Sequence, residues 1–164
     1  MSQEIATFSH EVWSRYTTTS STAVRASLKR ILIDSDQVQD NGSLAYVGGW
    51  LSNLPRGRKN IDIYLAIMSC MANGLTHKPN VTFGEACKEI RSRGLANKEG
   101  EYPFDKKFNQ LVAKDDLYDF LLNLRRTIQE HKSLSCDLDK LIRDIRGRFM
   151  YQNESDTWVR HYYI

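Results

Sequence analysis

The sequence predicts an all-α fold of about eight or nine helices, and three observations support that prediction. Apolar residues recur at spacings of three and four along most of the 164-residue chain, which is the period of an amphipathic helix. Side chains that favour helix starts stand in front of several of these segments. Convincing strand-like alternation of apolar and polar residues is absent from the sequence.

The first half of the chain contains several segments with helical spacing. The first segment has its apolar residues at Ile5, Phe8 and Val12. The second has them at Val24, Leu28, Ile31 and Leu32. Residues 61–72 form the longest apolar stretch and predict a further helix. Thr82 stands three residues before Glu85, which is the pattern of a capping box, and it predicts the start of the next helix.

The second half contains longer amphipathic segments that begin at polar residues. Asp115 or Asp116 opens the longest predicted helix, and Asp137 and Ser155 open the last two. The longest helix has its apolar residues at Leu117, Phe120, Leu121, Leu124 and Ile128. The helix after Asp137 has them at Leu138, Leu141, Ile142 and Ile145. These starts predict that helices also fill the second half.

Aromatic residues close the chain. Trp158 and Tyr162 are four residues apart, so we expect both to point inward from one short C-terminal helix. Tyr163 falls on a different side of that helix, where we expect it to be exposed. An exposed aromatic ring can stack on an unpaired base, whereas packing in the core is the commoner role of such residues.

Residues 94–103 mark the main predicted boundary, because turn-forming and polar residues cluster there. These residues are Gly94, Asn97, Gly100 and Pro103. We expect an N-terminal helical lobe of residues 1–96 and a C-terminal helical lobe of residues 97–164. The connection is short, so the two lobes are expected to pack together, and a single domain is the alternative.

Composition narrows the class of protein. The net charge is only +3, from 23 basic and 20 acidic residues, so bulk charge does not make this a general polyanion-binding protein. Cys70, Cys87 and Cys136 are odd in number and far apart, which favours reduced structural thiols over disulfides or zinc. The N-terminus lacks the pattern of a signal peptide, and the apolar stretch is too short to span a bilayer. We therefore expect a soluble, intracellular protein that does not bind membranes.

Basic residues are nevertheless grouped locally, beside helical apolar stripes. The groups are Arg25/Lys29/Arg30, Arg56/Arg58/Lys59, Lys106/Lys107, Arg125/Arg126 and Arg143/Arg146/Arg148. Cations placed in this way can hold a phosphate backbone without reading bases. The alternative for any one group is an ordinary solvated helix surface.

Patterns typical of enzymes are missing from the sequence. The Gly48-Gly49 pair lacks the spacing and the Lys-Ser/Thr of a phosphate-binding loop. The four histidines are scattered, and no H-x-x-x-H or H-E-x-x-H pattern places two of them on one helical face for a metal. Asp115 and Asp116 are better explained as a helix cap than as a catalytic acid pair. We predict a binding protein with no catalytic residues, no metal and no cofactor.

Several short patterns together resemble one family. They are Lys107-Phe108 followed by Leu111-Val112, then Leu124-Arg125-Arg126 on an acid-capped helix, an Asp137-initiated helix, and Trp158 followed by Tyr162-Tyr163. The basic helix around residues 25–30 and Thr82-Phe83-Gly84 add agreement in the first lobe. In this order they resemble the small-subunit (CasB) family of the type I-E CRISPR surveillance complex Cascade.

The resemblance implies a non-catalytic subunit that acts in the bacterial cytoplasm. Implied partners are the large subunit, the hexameric backbone subunit, the guide-RNA end-binding subunits, guide RNA, target DNA and a second copy of the chain. Such a subunit bridges the others and stabilises the R-loop through non-specific contacts with the nucleic-acid backbone. We expect the contacting residues to be Arg25, Lys29, Arg30, Lys106, Lys107, Arg125, Arg126, Arg143 and Arg146. Arg143, Arg146 and Arg148 have an alternative role as surface partners of Asp139 and Asp144.

Two other functions stay open at this point. A helical DNA-binding regulator would need a recognition helix, for which residues 82–93 with Arg91 and Arg93 are the only candidate. A structural scaffold protein would use the same basic groups against acidic protein surfaces and never touch nucleic acid.

Overall fold

The computed structural model describes residues 6–151 and 157–164, and this part of the chain is mostly helical, as predicted. Its nine α-helices are α1 (Ser14–Thr18), α2 (Thr22–Lys29), α3 (Leu44–Val47), α4 (Arg58–Ala72), α5 (Phe83–Ser92), α6 (Asp105–Val112), α7 (Leu117–Glu130), α8 (Leu138–Phe149) and α9 (Thr157–Tyr163). A π-helical segment, Ser9–Trp13, precedes α1, and a 3-10 helix, Gly48–Leu51, follows α3. Ile5 and the helix start predicted at Ser155 lie outside the described residues.

The predicted helix starts are present where they can be examined. The Thr82 hydroxyl accepts a hydrogen bond from the Glu85 backbone N–H at 3.2 Å, and the Glu85 carboxylate accepts one from the Thr82 N–H at 3.3 Å. This reciprocal pair is the capping box that opens α5. Asp116, and not Asp115, caps α7, while Asp137 caps α8.

Short strands are the part of the fold that the sequence does not predict. β1 (Leu32–Ile33) pairs antiparallel with β2 (Val38–Gln39), and β3 (Thr76–His77) pairs parallel with β4 (Ser135–Cys136). Each strand has only two residues, which is too few for an alternating pattern to be recognised. The second pair joins segments that are far apart in the sequence.

The core is organised around α4, in which every residue from 62 to 71 is buried. α2, α7 and α8 pack against it. Their inward residues include Leu28, Leu124 and Ile142, all of them buried as the spacing predicts. α2 and α7 both pack on α4, and α7 also contacts β1, the segment that follows α2.

Contacts cross the predicted boundary at several places. α4 packs on α7 and α8, α5 packs on α9, and β3 pairs with β4. The division into lobes of residues 1–96 and 97–164 stays a prediction. What the contacts do establish is that α7, α8 and α9 lie against helices from the first half.

The C-terminal helix α9 packs directly against α5, and the two backbones are in close contact at Gly84. A Cβ on Gly84 of α5 would lie 2.4 Å from the backbone oxygen of Trp158, so only glycine permits this approach. Trp158 and Tyr162 are 2 % and 0 % exposed, which confirms that both point inward. The Tyr162 ring stacks on Phe108 of α6, with 3.8 Å between the ring centroids.

The three cysteines are buried free thiols, as predicted for structural residues. Burial raises the pKa of all three thiols, that of Cys70 to about 12, so all three are protonated at neutral pH. Among the described residues, no helix is both long and apolar enough to cross a membrane.

Candidate nucleic-acid interface

Arg126 lies in the middle of the outward face of α7. Successive helical residues are separated by about 100° around the axis. Leu124 and Ile128 are fully buried on the opposite side, and Arg126 is exposed. One edge of the outward face turns toward α2 and α4, through Arg125, and the other turns toward α6, through Glu130.

The end of α2 lies beside this face. Arg125 donates from Nη1 to the backbone oxygen of Ile31, just beyond α2, and to the Ser69 hydroxyl of α4 at 3.2 Å. Lys29 and Arg30 precede Ile31 directly, and both are exposed. The hydrogen bond to Ile31 therefore places the end of α2, which carries these two cations, beside the turn of α7 that carries Arg126.

On the other edge, α6 adds two more cations. Lys107 forms an ion pair with Glu130 of α7. Glu130 follows Arg126 by four residues, which is one helical turn and places their Cβ atoms about 5–6 Å apart. Burial lowers the pKa of the Lys107 amine, and its neighbour Lys106 is exposed. The pair thus connects Lys107 to the Arg126 face, and Lys106 is the preceding residue of α6.

We call these cations the basic band, a surface that runs from α2 across α7 to α6. Its members are Arg25, Lys29, Arg30, Arg126, Lys106 and Lys107. Arg25 is one turn before Lys29 on α2, it is exposed, and it donates from Nη2 to the Thr19 backbone oxygen at 3.2 Å. The basic band holds six of the nine expected contact residues.

Arg125 is not part of the basic band, because its guanidinium is already bound inside the protein. Burial lowers its pKa, as expected for a cation withdrawn from water. Its partners, the Ile31 oxygen and Ser69, belong to segments that α7 must hold in place. We therefore assign Arg125 a structural role rather than the expected one in strand contact.

Arg143 and Arg146 lie on α8, in a different group. Arg146 donates from Nε to Asn60 Oδ1 at 2.8 Å and from Nη2 to the Tyr64 hydroxyl, so it ties α8 to the start of α4. Arg143 is exposed on the same helix. The structure does not bring this group into the basic band.

Among the described residues, no α8 arginine forms a close ion pair with Asp139 or Asp144, although Arg143 is near enough for its charge to lower the pKa of Asp144. Asp139 accepts from the Ser9 backbone N–H at 2.9 Å, and Asp144 accepts from the Trp158 indole N–H at 3.1 Å. Arg148 donates instead to the backbone oxygens of Val112 and Lys114. Both carboxylates hold distant chain segments, which local spacing does not reveal.

In α5, the candidate recognition helix, both arginines are paired with carboxylates. Arg91 Nε lies 2.9 Å from Asp105 Oδ1, and Arg93 Nη2 lies 3.1 Å from Glu89 Oε1. α9 covers one side of α5, where Gly84 meets Trp158. The exposed side of α5 carries Glu85, Lys88, Glu89 and Ser92, and its two acids do not suit insertion into a DNA groove.

Three side chains with metal-binding chemistry do meet, although the sequence does not predict it. The ligand atoms of His77, Asp137 and Asp139 lie within 4.8 Å of one another. Asp137 caps α8 and accepts from the Asn80 N–H at 2.9 Å, and His77 Nδ1 accepts from the Leu138 N–H at 3.1 Å. Backbone N–H donors from three segments thus account for this cluster, and we assign it the structural role of holding the start of α8.

Comparison with known proteins identifies one family. The family model described as CRISPR-associated protein Cse2 matches residues 24–163. That span includes every member of the basic band and all of α5 to α9. Neither the curated proteins nor the solved structures yield a match to this chain.

Proposed function

Because this chain belongs to the Cse2 family of CRISPR-associated proteins, the small subunits of type I-E Cascade, we propose that its basic band holds the nucleic-acid backbone and stabilises the R-loop. Membership makes the chain a structural subunit that works in a complex with other subunits. The finer role is supported by the position of six cations on one surface formed by α2, α7 and α6.

The energetics of R-loop formation suit a surface of this kind. A guide–target heteroduplex is about as stable as the DNA duplex that it replaces, so a few backbone contacts can shift the balance. Contacts with phosphates position a strand and do not discriminate between bases. The basic band therefore acts on any target sequence that the guide RNA selects.

The modest charge of the chain suits action within a complex. A net charge of +3, with Glu130 set among the cations, gives weak binding by the isolated chain. Once other subunits hold the chain beside the nucleic acid, the same contacts act at high effective concentration. We propose that four kinds of subunit hold the chain beside the nucleic acid in the bacterial cytoplasm. They are the large subunit, the backbone subunit, the guide-RNA end-binding subunits and a second copy of this chain.

The proposed role involves no catalysis. Buried carboxylates with raised pKa values are candidates for general acids, and Asp62 and Asp144 have such values because of burial. Asp62, however, accepts from the buried Tyr118 hydroxyl at 2.7 Å, and Asp144 accepts from Trp158. Both therefore join helices to one another, a role that supports a structural subunit.

The test compares R-loop lifetimes of a guide-programmed complex assembled with this chain, without it, or with Arg126→Glu. A single-strand-specific probe reports protection of the displaced strand. We expect a shorter lifetime without the chain and an intermediate one for Arg126→Glu. Because that variant has lost a phosphate contact, its lifetime should fall less steeply than that of the wild type as salt is raised from about 50 to 200 mM. Lys78→Glu, an exposed charge reversal outside the basic band, is the matched control and should behave as wild type.

Two outcomes contradict the proposal. Equal lifetimes with and without the chain would remove any role in the R-loop and favour a scaffold without nucleic-acid contact. An equal loss for Arg126→Glu and Lys78→Glu would mean that the basic band is not the contacting surface.

A further inference from the structure

A cleft opens at the α6 end of the basic band. It lies between α6, α9 and the segment that contains Gly100 and Glu101, and its volume is about 660 Å³. Lys106, a member of the basic band, lines it. Small-molecule sites span roughly 300–1,000 Å³, so this cleft has room for one nucleotide.

Tyr163 presents a fixed aromatic surface in this cleft. Its hydroxyl donates to Asn109 Oδ1 at 3.0 Å. Its ring packs against the buried rings of Tyr162 and Phe108 in edge-to-face contacts, with centroids 4.6 and 6.2 Å apart. The side chain is nevertheless 41 % exposed. A ring held so firmly loses little conformational freedom when something stacks on it.

Arg91 supplies a second flat group beside Tyr163. Its guanidinium carbon lies 4.2 Å from the ring centroid of Tyr102 and 5.3 Å from that of Tyr163. The ion pair with Asp105 fixes the orientation of the guanidinium. Arginine and tyrosine planes are the surfaces on which proteins stack unpaired bases.

The remaining walls combine one cation, two side-chain amides and two carboxylates, Glu101 and Asp105, of which Asp105 is paired with Arg91. The Lys106 amine can meet a phosphate, and it continues the basic band. The amides of Asn109 and Gln110 offer both donors and acceptors, so they can serve any base edge. An aromatic plane, a cation and adaptable amides in one cleft match the parts of a nucleotide.

We propose that this cleft receives one unpaired nucleotide of a strand that follows the basic band, with the base stacked on Tyr163 and its phosphate at Lys106. This inference rests on the proposed function, because the basic band delivers the strand. Stacking tolerates every base, so the site anchors a strand without reading sequence. The nucleotide comes from displaced DNA, target DNA or guide RNA, and the test separates these sources.

The test is photocrosslinking in the complete complex on target DNA. 5-Iodouracil, which crosslinks to stacked aromatic side chains, is placed at one position at a time in the displaced strand, the target strand or the guide RNA. Crosslinked peptides are mapped by mass spectrometry. We expect one strand to crosslink at Tyr163 from one position or from adjacent ones, well above the background at Tyr46, a tyrosine that is 56 % exposed elsewhere.

Two variants test whether crosslinking depends on the cleft itself. One blocks the cleft and keeps Tyr163, and the other removes only the Tyr163 hydroxyl. Ala113→Trp fills the cleft from an exposed position on its wall and leaves Tyr163 in place. We expect it to lower the yield at Tyr163 at least about fivefold, the lower end of the range for losing one base–aromatic stack. Tyr163→Phe keeps the ring and should keep crosslinking at position 163.

Three results overturn the inference. They are a yield at Tyr163 no higher than at Tyr46, a yield that Ala113→Trp leaves unchanged, and protection of Tyr163 by another subunit before DNA is added, measured by hydroxyl-radical footprinting. If any of them occurs while Arg126→Glu still shortens the R-loop lifetime, the nucleotide site is wrong and the proposed function is still supported. If Arg126→Glu has no effect either, the proposed function falls separately.

Discussion

Arg125 and Ile31 are joined by a hydrogen bond from the guanidinium Nη1 to the backbone oxygen, which fixes α7 against the end of α2. The next residue, Arg126, points away from the protein. Two adjacent arginines therefore have different tasks, one within the fold and one on its surface. The bond also determines where the α2 cations stand relative to Arg126, so the basic band depends on it.

We expect Arg125→Ala to lower the free energy of unfolding by about 2–3 kcal/mol, because charge-assisted hydrogen bonds to a buried carbonyl and to Ser69 are lost. Arg126→Ala, the exposed neighbour, should change it by less than about 0.5 kcal/mol. Urea unfolding of the isolated chain measures both. Equal effects of the two variants would contradict the structural role of Arg125.

We expect Glu130→Gln to strengthen nucleic-acid binding. The change removes the acid that pairs with Lys107 and leaves that amine free for a phosphate. One added phosphate contact should steepen the dependence of log K on log salt by about 0.7–0.9. The measurement is the affinity of the complex for target DNA across a salt series. An unchanged slope in Glu130→Gln would contradict the prediction.

We expect Gly84→Ala to destabilise the protein by about 1–3 kcal/mol, because the new methyl group would overlap the Trp158 backbone and force α9 away from α5. Gly147→Ala in α8 is the matched control, since nothing lies within 4 Å of its added Cβ. That change should stabilise the helix by about 0.5–1 kcal/mol. Thermal unfolding measures both variants. Loss of near-ultraviolet dichroism from Trp158 in Gly84→Ala alone would show that α9 has moved.

We expect stability to depend on pH through His131. Burial, together with Lys107 and Arg93, lowers its pKa below the usual 6.5. The unfolded chain then binds the proton more readily, so this contribution is complete above pH 6.5 and is lost as the pH falls below that value. Unfolding free energies of the wild type and His131→Asn, measured from pH 7.5 to 5, should differ in slope, with the steeper fall in the wild type. Parallel curves would contradict the prediction.

The sequence by itself determined the features that depend on neighbours along the chain. The helical period placed Leu124 and Ile128 inside, and short-range hydrogen bonds explain why the caps at Thr82, Asp116 and Asp137 could be predicted. The grouping of cations and the resemblance to Cse2 are also readable from order and spacing, and the family match over residues 24–163 confirms the latter.

Only the tertiary structure decided which cations are free to bind a partner. Arg125 and Arg126 are indistinguishable as letters, but Ile31 and Ser69, far away in the sequence, bind one and leave the other outside. The two-residue strands and the pair of Lys107 with Glu130 likewise join segments that no local pattern relates. The direction of a side chain is set by what packs around it, and that is known only once the distant parts of the chain have met.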